Sequence, residues 1–447
     1  MRDPVRRFSA RYRTAGAIAI LLALAATARG LYRSELPDAE ARPAPQAALP
    51  AATAREIKLD AQTSFSTTKL PPAIATSVSA AASGDPDELT IRAAQHSLSA
   101  RLSMLEERLA AISDPGERMA LLAVFKREIL AAPEAAAAAS LADYLASGRD
   151  VDTGLPFVVG EDGMMASVPS LRTAVLDLLP ATDLPRAAEL AREVLQQRRS
   201  EAEFALGLRN LAWNDFEGDQ LPELAARFND LLNIDDWRRN PGNAYLEAFD
   251  IAVALGDRAA FAAVGAVLDE APQNPAGQAL SRAALVALDR MVIRDPALLV
   301  AAYHDDPTLF AAATNARASL LARLDLDKAE QRAVLVDYLG RTDHGSDELA
   351  YFAELFPNAN AIHGDWLVTA QESTPSIEQR RALDRGTVAG IDAVLATAPG
   401  AAVRTVLTEV RARLVALEQD AMLDQAAPIS GPPAVYEQQF PTVPHTP

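Results

Sequence analysis

Apolar side chains recur at i, i+3, i+4 and i+7 through most of the chain from Pro169 to Leu339. That spacing predicts a series of short amphipathic helices. Leu171, Ala174, Val175 and Leu178 make the first apolar face. Ala187, Leu190, Ala191, Val194 and Leu195 make the next, with Arg186, Glu189 and Gln196 on the other side. Phe204, Ala205, Leu208, Leu211 and Ala212 follow, and Ser200 with Glu203 has the spacing of a capping box, in which each side chain satisfies a free backbone N–H. The pattern continues in Tyr245, Phe249 and Val253, then in Phe261, Val264 and Leu268. From Leu280 to Leu288 the chain is apolar on nearly every side, as expected of a helix sandwiched between neighbours.

The breaks carry as much information. Asp295-Pro296 and Asp306-Pro307 each offer an N-capping carboxylate followed by proline at the first helical position, where its missing N–H is harmless. Gly256 and Gly340 stand where a left-handed C-terminal cap is expected. Helix starts recur roughly every 12 to 20 residues, so a pair spans roughly 30 to 40, the length of a helical repeat. The predicted class is all-α: an irregular α-solenoid of helical hairpins over residues 169–424. The architecture resembles irregular HEAT-type arrays, although neither a tetratricopeptide nor an ankyrin consensus fits the chain.

Residues 85–168 read as an N-terminal helical block with a loop. Asp85-Pro86 with Glu88 opens a long helix to about Ile112, with Leu98, Leu102, Leu105 and Leu109 as a stripe. Core packing is the ordinary reading of that stripe, and a coiled-coil seam is the alternative. Asp114-Pro115 with Glu117 opens a second helix with Leu121, Val124, Phe125 and Ile129 inward; Pro133 starts an alanine-rich third, ending near Gly148. Between Gly148 and Val168, Phe157-Val158-Val159 and Met164-Met165 flank Gly160-Glu161-Asp162-Gly163, which predicts one small β-hairpin projecting from the helices. A second long loop runs from Phe356 to Thr374 with His363, Asp365 and Trp366. Loops of this length are often functional, and their apolar residues also suit packing into the helices. The last helices run from about Pro375 to Leu423, with Val403, Val406, Val410, Leu414 and Leu417 as the inner stripe.

The two ends change the picture. In residues 1–28, Arg2, Arg6, Arg7, Arg11 and Arg13 against Asp3 precede an apolar run from Ala15 to Ala28 that ends in Ala26-Thr27-Ala28. The run is about 14 residues, short of the roughly 20 that span a bilayer, and its end suits signal peptidase. The segment reads as a cleaved signal peptide or as an N-terminal anchor in the inner membrane. Either places the bulk of the chain outside the cytoplasm, in the periplasm or an equivalent space. Residues 29–84 are a Pro/Ala-rich linker, and residues 425–447 a Pro-rich tail with Tyr436 and Phe440.

Composition then removes function classes. The net charge of −18 argues against a nucleic-acid partner, which needs clustered Lys and Arg. The absence of cysteine removes thiolate metal sites, cysteine nucleophiles and disulfides. Ser66-Thr67-Thr68-Lys69 has an S-x-x-K spacing, but the companion elements of that chemistry are missing and its flanks are linker. The five histidines, His96, His304, His344, His363 and His445, include no pair at helical zinc spacing. Asp215, Glu217 and Asp219 imitate a calcium loop, but Gln220 and Ala226 stand where Gly and Glu belong. No catalytic residue, cofactor or metal site is predicted. The expected function is a non-enzymatic scaffold or binding protein of the cell envelope with a protein partner, whose contact residues would be Phe157, Met164, Met165, Trp366, Tyr436 and Phe440. The alternative is an α/α-toroid enzyme acting on envelope polysaccharide. It would need Trp213, Trp237 and Trp366 to converge with a carboxylate pair.

Overall fold

The computed structural model describes residues 86–423, except 215–219, 272–273 and 346. The described chain is predominantly helical, with one two-stranded antiparallel sheet. Three helices come first: α1 (Pro86–Ala111), α2 (Pro115–Ala131) and α3 (Glu134–Ala146). The hairpin β1 (Val158–Val159) and β2 (Met165–Ser167) follows. Then come α4 (Leu171–Thr182), α5 (Leu184–Gln197), α6 (Glu201–Asn214) and α7 (Leu221–Leu232), and the short α8 (Asp235–Arg239), α9 (Asn243–Glu247) and α10 (Asp250–Leu255). The rest are α11 (Arg258–Glu270), α12 (Pro275–Arg294), α13 (Pro296–Asp305), α14 (Thr314–Leu321), α15 (Ala329–Gly340), α16 (Glu348–Leu355), α17 (Ile377–Ala396) and α18 (Ala401–Leu423).

Caps set many of these boundaries. Asp114, Ser170, Asp183, Asp257, Asn274, Asp295 and Ser376 each accept a first-turn backbone N–H, satisfying a donor that has no partner inside the helix. Gly256 ends α10 in the left-handed conformation, at φ 59°. Packing runs between helices near in sequence: α5 lies on α4 and α6, α4 also meets α6, and α11 lies on α10 and α12. Further on, α12 packs on α13 and α14, α14 on α16, and α18 on α15, α16 and α17.

Several helices are buried on every side, which distinguishes this core from a set of amphipathic surface helices. In α4 all residues from Leu171 to Leu179 are buried, Arg172, Thr173 and Asp177 included; in α6 the same holds from Ala202 to Leu211. A charge in such a helix needs a partner, because an ion moved out of water without one is costly. The partners are supplied across the layer. Arg172 pairs with Glu203 and Arg209 with Asp177, joining α4 to α6 twice in opposite senses. Asp250 of α10 pairs with Arg290 of α12, Asp289 of α12 with Arg323 just beyond α14, and Arg317 of α14 with Glu348 of α16.

Some expectations fail locally. Ser200 does accept the Glu203 N–H, but the Glu203 carboxylate turns to Arg172 and no reciprocal capping box forms. Asp306-Pro307 opens a turn, not a helix: Asp306 accepts from both the backbone N–H and the hydroxyl of Thr308, and α14 starts only at Thr314. Between them Phe310 takes φ 57° and is buried against Phe261, an arrangement a helix would not permit. Gly340 is the last residue of α15, and the chain leaves through an extended Arg341. Val124 and Leu417, placed inward by the periodicity, are 42% and 51% exposed. The hairpin forms with the expected strands and turn, but it does not project: Phe157, Val159 and Met165 are buried in the main core.

Candidate functional site

Two irregular segments lie against the helices, each held by a buried arginine with an aspartate behind it and a tryptophan on its face. The first is the hairpin turn. Asp177 of α4 accepts from the Met165 N–H at 3.0 Å and from Arg209 Nη1 at 2.6 Å. The same Nη1 donates to the Gly163 carbonyl at 2.9 Å, and Nη2 donates to the Asp177 carbonyl and to Asn210 Oδ1. The Trp213 ring lies 4.3 Å from the guanidinium carbon. Gly163 has φ 74°, and a Cβ there would meet Trp213 Cζ2 at 3.0 Å and the Leu367 carbonyl at 3.1 Å, so any side chain at this position is both strained and crowded.

The second segment, residues 357–376, leaves α16 and returns to α17. Its two ends lie close together: Arg323 donates to the carbonyls of Asn358 and Asn360, and Arg380 of α17 donates to Asn360 Oδ1. Gln371 ties the outgoing and returning arms by accepting from the Gly364 N–H and Trp366 Nε1 and donating to the Ile362 carbonyl. The anchor is Asp250 of α10. Its carboxylate accepts the Val368 N–H at 2.7 Å, the Thr369 N–H at 2.8 Å, the Thr369 hydroxyl at 2.5 Å and Arg290 Nη1 at 2.6 Å. Arg290 also donates from Nε to both oxygens of Glu372 at 3.0 Å and from Nη2 to Thr369 Oγ1 at 2.6 Å, while the Trp366 ring lies 3.6 Å from its guanidinium carbon. Arg294 adds bonds to Glu372 and to the Ala370 carbonyl.

The two segments meet. The Gly163 position is bounded by the carbonyls of Trp366 and Leu367, and the Leu367 side chain is fully buried. Around this junction Glu161, Asp162 and Asp365 are exposed, with Glu247 half-buried nearby at the end of α9. These acids lack the ion pairs that the interior ones have, among the described residues. Burial, then the negative charges of Asp250 and Asp365, push the Glu247 carboxyl up to about 7. Burial, then Glu161 and Asp162, raise Asp365. At the other end of α9, burial also lifts Glu201 to about 7, although it accepts backbone N–H groups from Gly242 and Tyr245.

Of the residues singled out from sequence, Phe157 and Met165 are core side chains, Met164 is half-buried beside them and Trp366 is half-buried on Arg290. The junction therefore brings Met164 and Trp366 into one region. Tyr436 and Phe440, and the calcium-like Asp215, Glu217 and Asp219, lie outside the described residues. Arg209, Arg290, Asp177, Asp250 and Glu247 were not anticipated. The available signal was a charge set among apolar neighbours, as at Leu208-Arg209-Asn210-Leu211 and Leu288-Asp289-Arg290-Met291. Among the described residues no group of three or more acidic or histidine side chains is placed to hold a metal ion, and no helix is long and apolar enough to cross a membrane. Comparison with protein-family models, with curated protein sequences and with solved structures returns no match for this chain.

Proposed function

We propose that this chain is an exported or inner-membrane-tethered helical-repeat scaffold of the cell envelope. In this reading the helices form an irregular α-solenoid of HEAT-like kind, and the junction of the two clamped segments is its contact surface for a protein partner. One contrast supports this most. The buried carboxylates Asp177, Glu203, Asp250, Asp289 and Glu348 are each paired with an arginine, so the interior charge is devoted to holding the fold. Glu161, Asp162 and Asp365, by contrast, stand exposed on irregular backbone, where binding residues are commonly displayed. A solenoid needs no catalytic group to work as a binding surface. The surface has Met164 and Trp366 as its apolar part and the three acids as its rim, which suits a partner segment carrying Lys or Arg.

The test is affinity capture from envelope extract with the wild type and with a Glu161→Lys, Asp162→Lys, Asp365→Lys variant of unchanged helical content. The reading expects a defined protein captured by the wild type and lost with the variant. Equal capture by both would remove the junction from the account. Export is tested separately by fractionation and N-terminal sequencing: mature protein should begin at Arg29, or full-length protein should stay with the inner membrane.

The α/α-toroid enzyme has one observation in its favour, the meeting of Trp213 and the backbone of Trp366 at Gly163, with Asp365 next to Trp366 in the chain. Against it, Trp213 and Trp366 each give a ring face to an arginine, and Trp237 packs edge-on to Phe204. Sugar-platform tryptophans keep a face open. Hydrolysis of an envelope polysaccharide by the wild type and not by Glu247→Gln would reverse the order of the two readings.

A further inference from the structure

Five of the nine large apolar side chains that stand exposed among the described residues lie in α1 and α2: Leu89, Met104, Met119, Val124 and Leu130. In α2 the apolar residues repeat on two faces. The helix packs on α1, α3 and α4 through the face that carries Phe125 and Ile129. On the other face Met119, Ala120, Ala123, Val124 and Leu130 are exposed and fall within an arc of about 140°. A helix that is apolar all round is ordinarily buried all round, and a contiguous exposed apolar patch marks a place of association. α1 widens the patch. Arg101 of α1 is paired with Glu128 of α2, and the two helices, joined by a short turn, run in opposite directions. Met104 lies one turn beyond Arg101 and Val124 one turn before Glu128, so the two stand at the same level on adjacent helices.

The charges in the patch decide what suits it. Glu117 lies near the N-terminal end of α2 and Arg127 near its C-terminal end; both are exposed, and neither makes an ion pair among the described residues. An anionic lipid surface or a basic peptide satisfies one of these charges and opposes the other. A second copy of α2 turned antiparallel satisfies both, because each acidic end then meets a basic end.

We propose that α2 is a self-association surface, on which the α2 helices of two copies of this chain pair antiparallel about a two-fold axis. With the axis between Ala123 and Val124, Val124 stands over Ala123 of the second copy. Arg127 stands over Ala120 of the second copy, one turn from its Glu117, and Leu130 comes beside its Met119. The contact is isologous, so each of these meetings occurs twice. Alanine opposite valine and arginine lets the two backbones approach, as packing of helix ridges into grooves requires. Met104 of each copy borders the axis on the same side. A standard interface covers about 800 Å² on each partner. A single 17-residue helix edged by Met104 offers less, so this dimer is a weak one that exchanges with monomer in the micromolar range. The surface shares no residue with the junction of the two clamped segments.

The experiment is sedimentation equilibrium on the full chain across the micromolar range, with variants that keep the wild-type helical circular dichroism. The wild type should pass from monomer to dimer as its concentration rises. Arg127→Glu sets two acids together at each end and should weaken the dimer about tenfold or more, and Glu117→Arg should do the same with two bases. The double variant restores opposite signs and should regain most of the affinity. Val124→Cys reads the axis directly. The chain has no cysteine of its own, so mild oxidation should give a disulfide-linked dimer, which Leu417→Cys, at an exposed apolar position on α18, should not. The proposal is overturned if the wild type is monomeric throughout, whether Val124→Cys then labels freely with maleimide or is shielded by another occupant. A dimer that Arg127→Glu leaves intact, or a double variant as weak as the single ones, contradicts it equally.

Discussion

Arg172, Arg209, Arg290, Arg317 and Arg323 have side chains at most 6% exposed, and each meets a carboxylate that is at most 4% exposed. Buried pairs of this kind add little net stability over an apolar core, but removing one partner leaves a charge with nowhere to go. Asp250→Ala should therefore cost about 3–5 kcal/mol, measured by urea unfolding, because it removes the acceptor of Arg290 Nη1 and leaves the Val368 and Thr369 N–H groups without a partner together. Asp365→Ala, exposed and unpaired, should change stability by no more than about 0.5 kcal/mol at pH 5. Acid titration adds a second residue-scale expectation. Glu201 and Glu247 are raised from 4.5 to about 7 mainly by burial, so their folded forms hold protons that the unfolded chain releases. Their neutral forms are stabilising below pH 4.5, and that stability is lost as pH rises through 7. Each should contribute roughly 1–3 kcal/mol of this loss after allowance for partial exposure. Urea midpoints at pH 5 and pH 8 should differ in the wild type and converge in Glu201→Gln, Glu247→Gln.

At the scale of elements, the helices were legible because a 3.6-residue period is a local property, and the caps at Asp114 and Asp295 stand where the Asp-Pro pairs put them. Asp295→Ala should accordingly cost about 1 kcal/mol by loss of the N-cap bond. The hairpin was legible from its two glycines and flanking apolar pairs. Its burial was not, because nothing local states what a hairpin lies against. Gly163→Ala checks that contact: a positive φ together with the approach of Trp213 and Leu367 should cost more than about 1 kcal/mol, whereas Gly345→Ala, with open space around its Cβ, should be near neutral. The same limit explains Asp306-Pro307. A capping signal identical in sequence to Asp295-Pro296 was overridden by Phe310, whose ring fills space beside Phe261 and Gly265. The clamps were out of reach for the same reason. Arg209 finds Asp177 at a separation of 32 residues, and Arg290 finds Glu372 at 82. No periodicity encodes such partners. Helices buried on all sides do carry a weaker sign, since a lone arginine among leucines needs an acid somewhere.

At the scale of the molecule, most helix contacts join neighbours in sequence, and two segments depart from that rule. Residues 357–376 tie α10, α12 and the end of α14 to the start of α17 through Asp250, Arg290, Arg323 and Arg380. Their tip reaches the hairpin that leads into α4. The chain thus joins early and late helices through irregular backbone, and the proposed contact surface depends on that meeting. The sequence contains no cysteine, so an introduced pair reports on it without background. A Glu161→Cys, Asp365→Cys variant treated with a short bis-maleimide should form an intramolecular cross-link in the folded protein, seen as a faster-migrating band and as a linked peptide by mass spectrometry, and should lose it in urea. A folded variant that yields only single-site labelling or links between molecules would contradict the account.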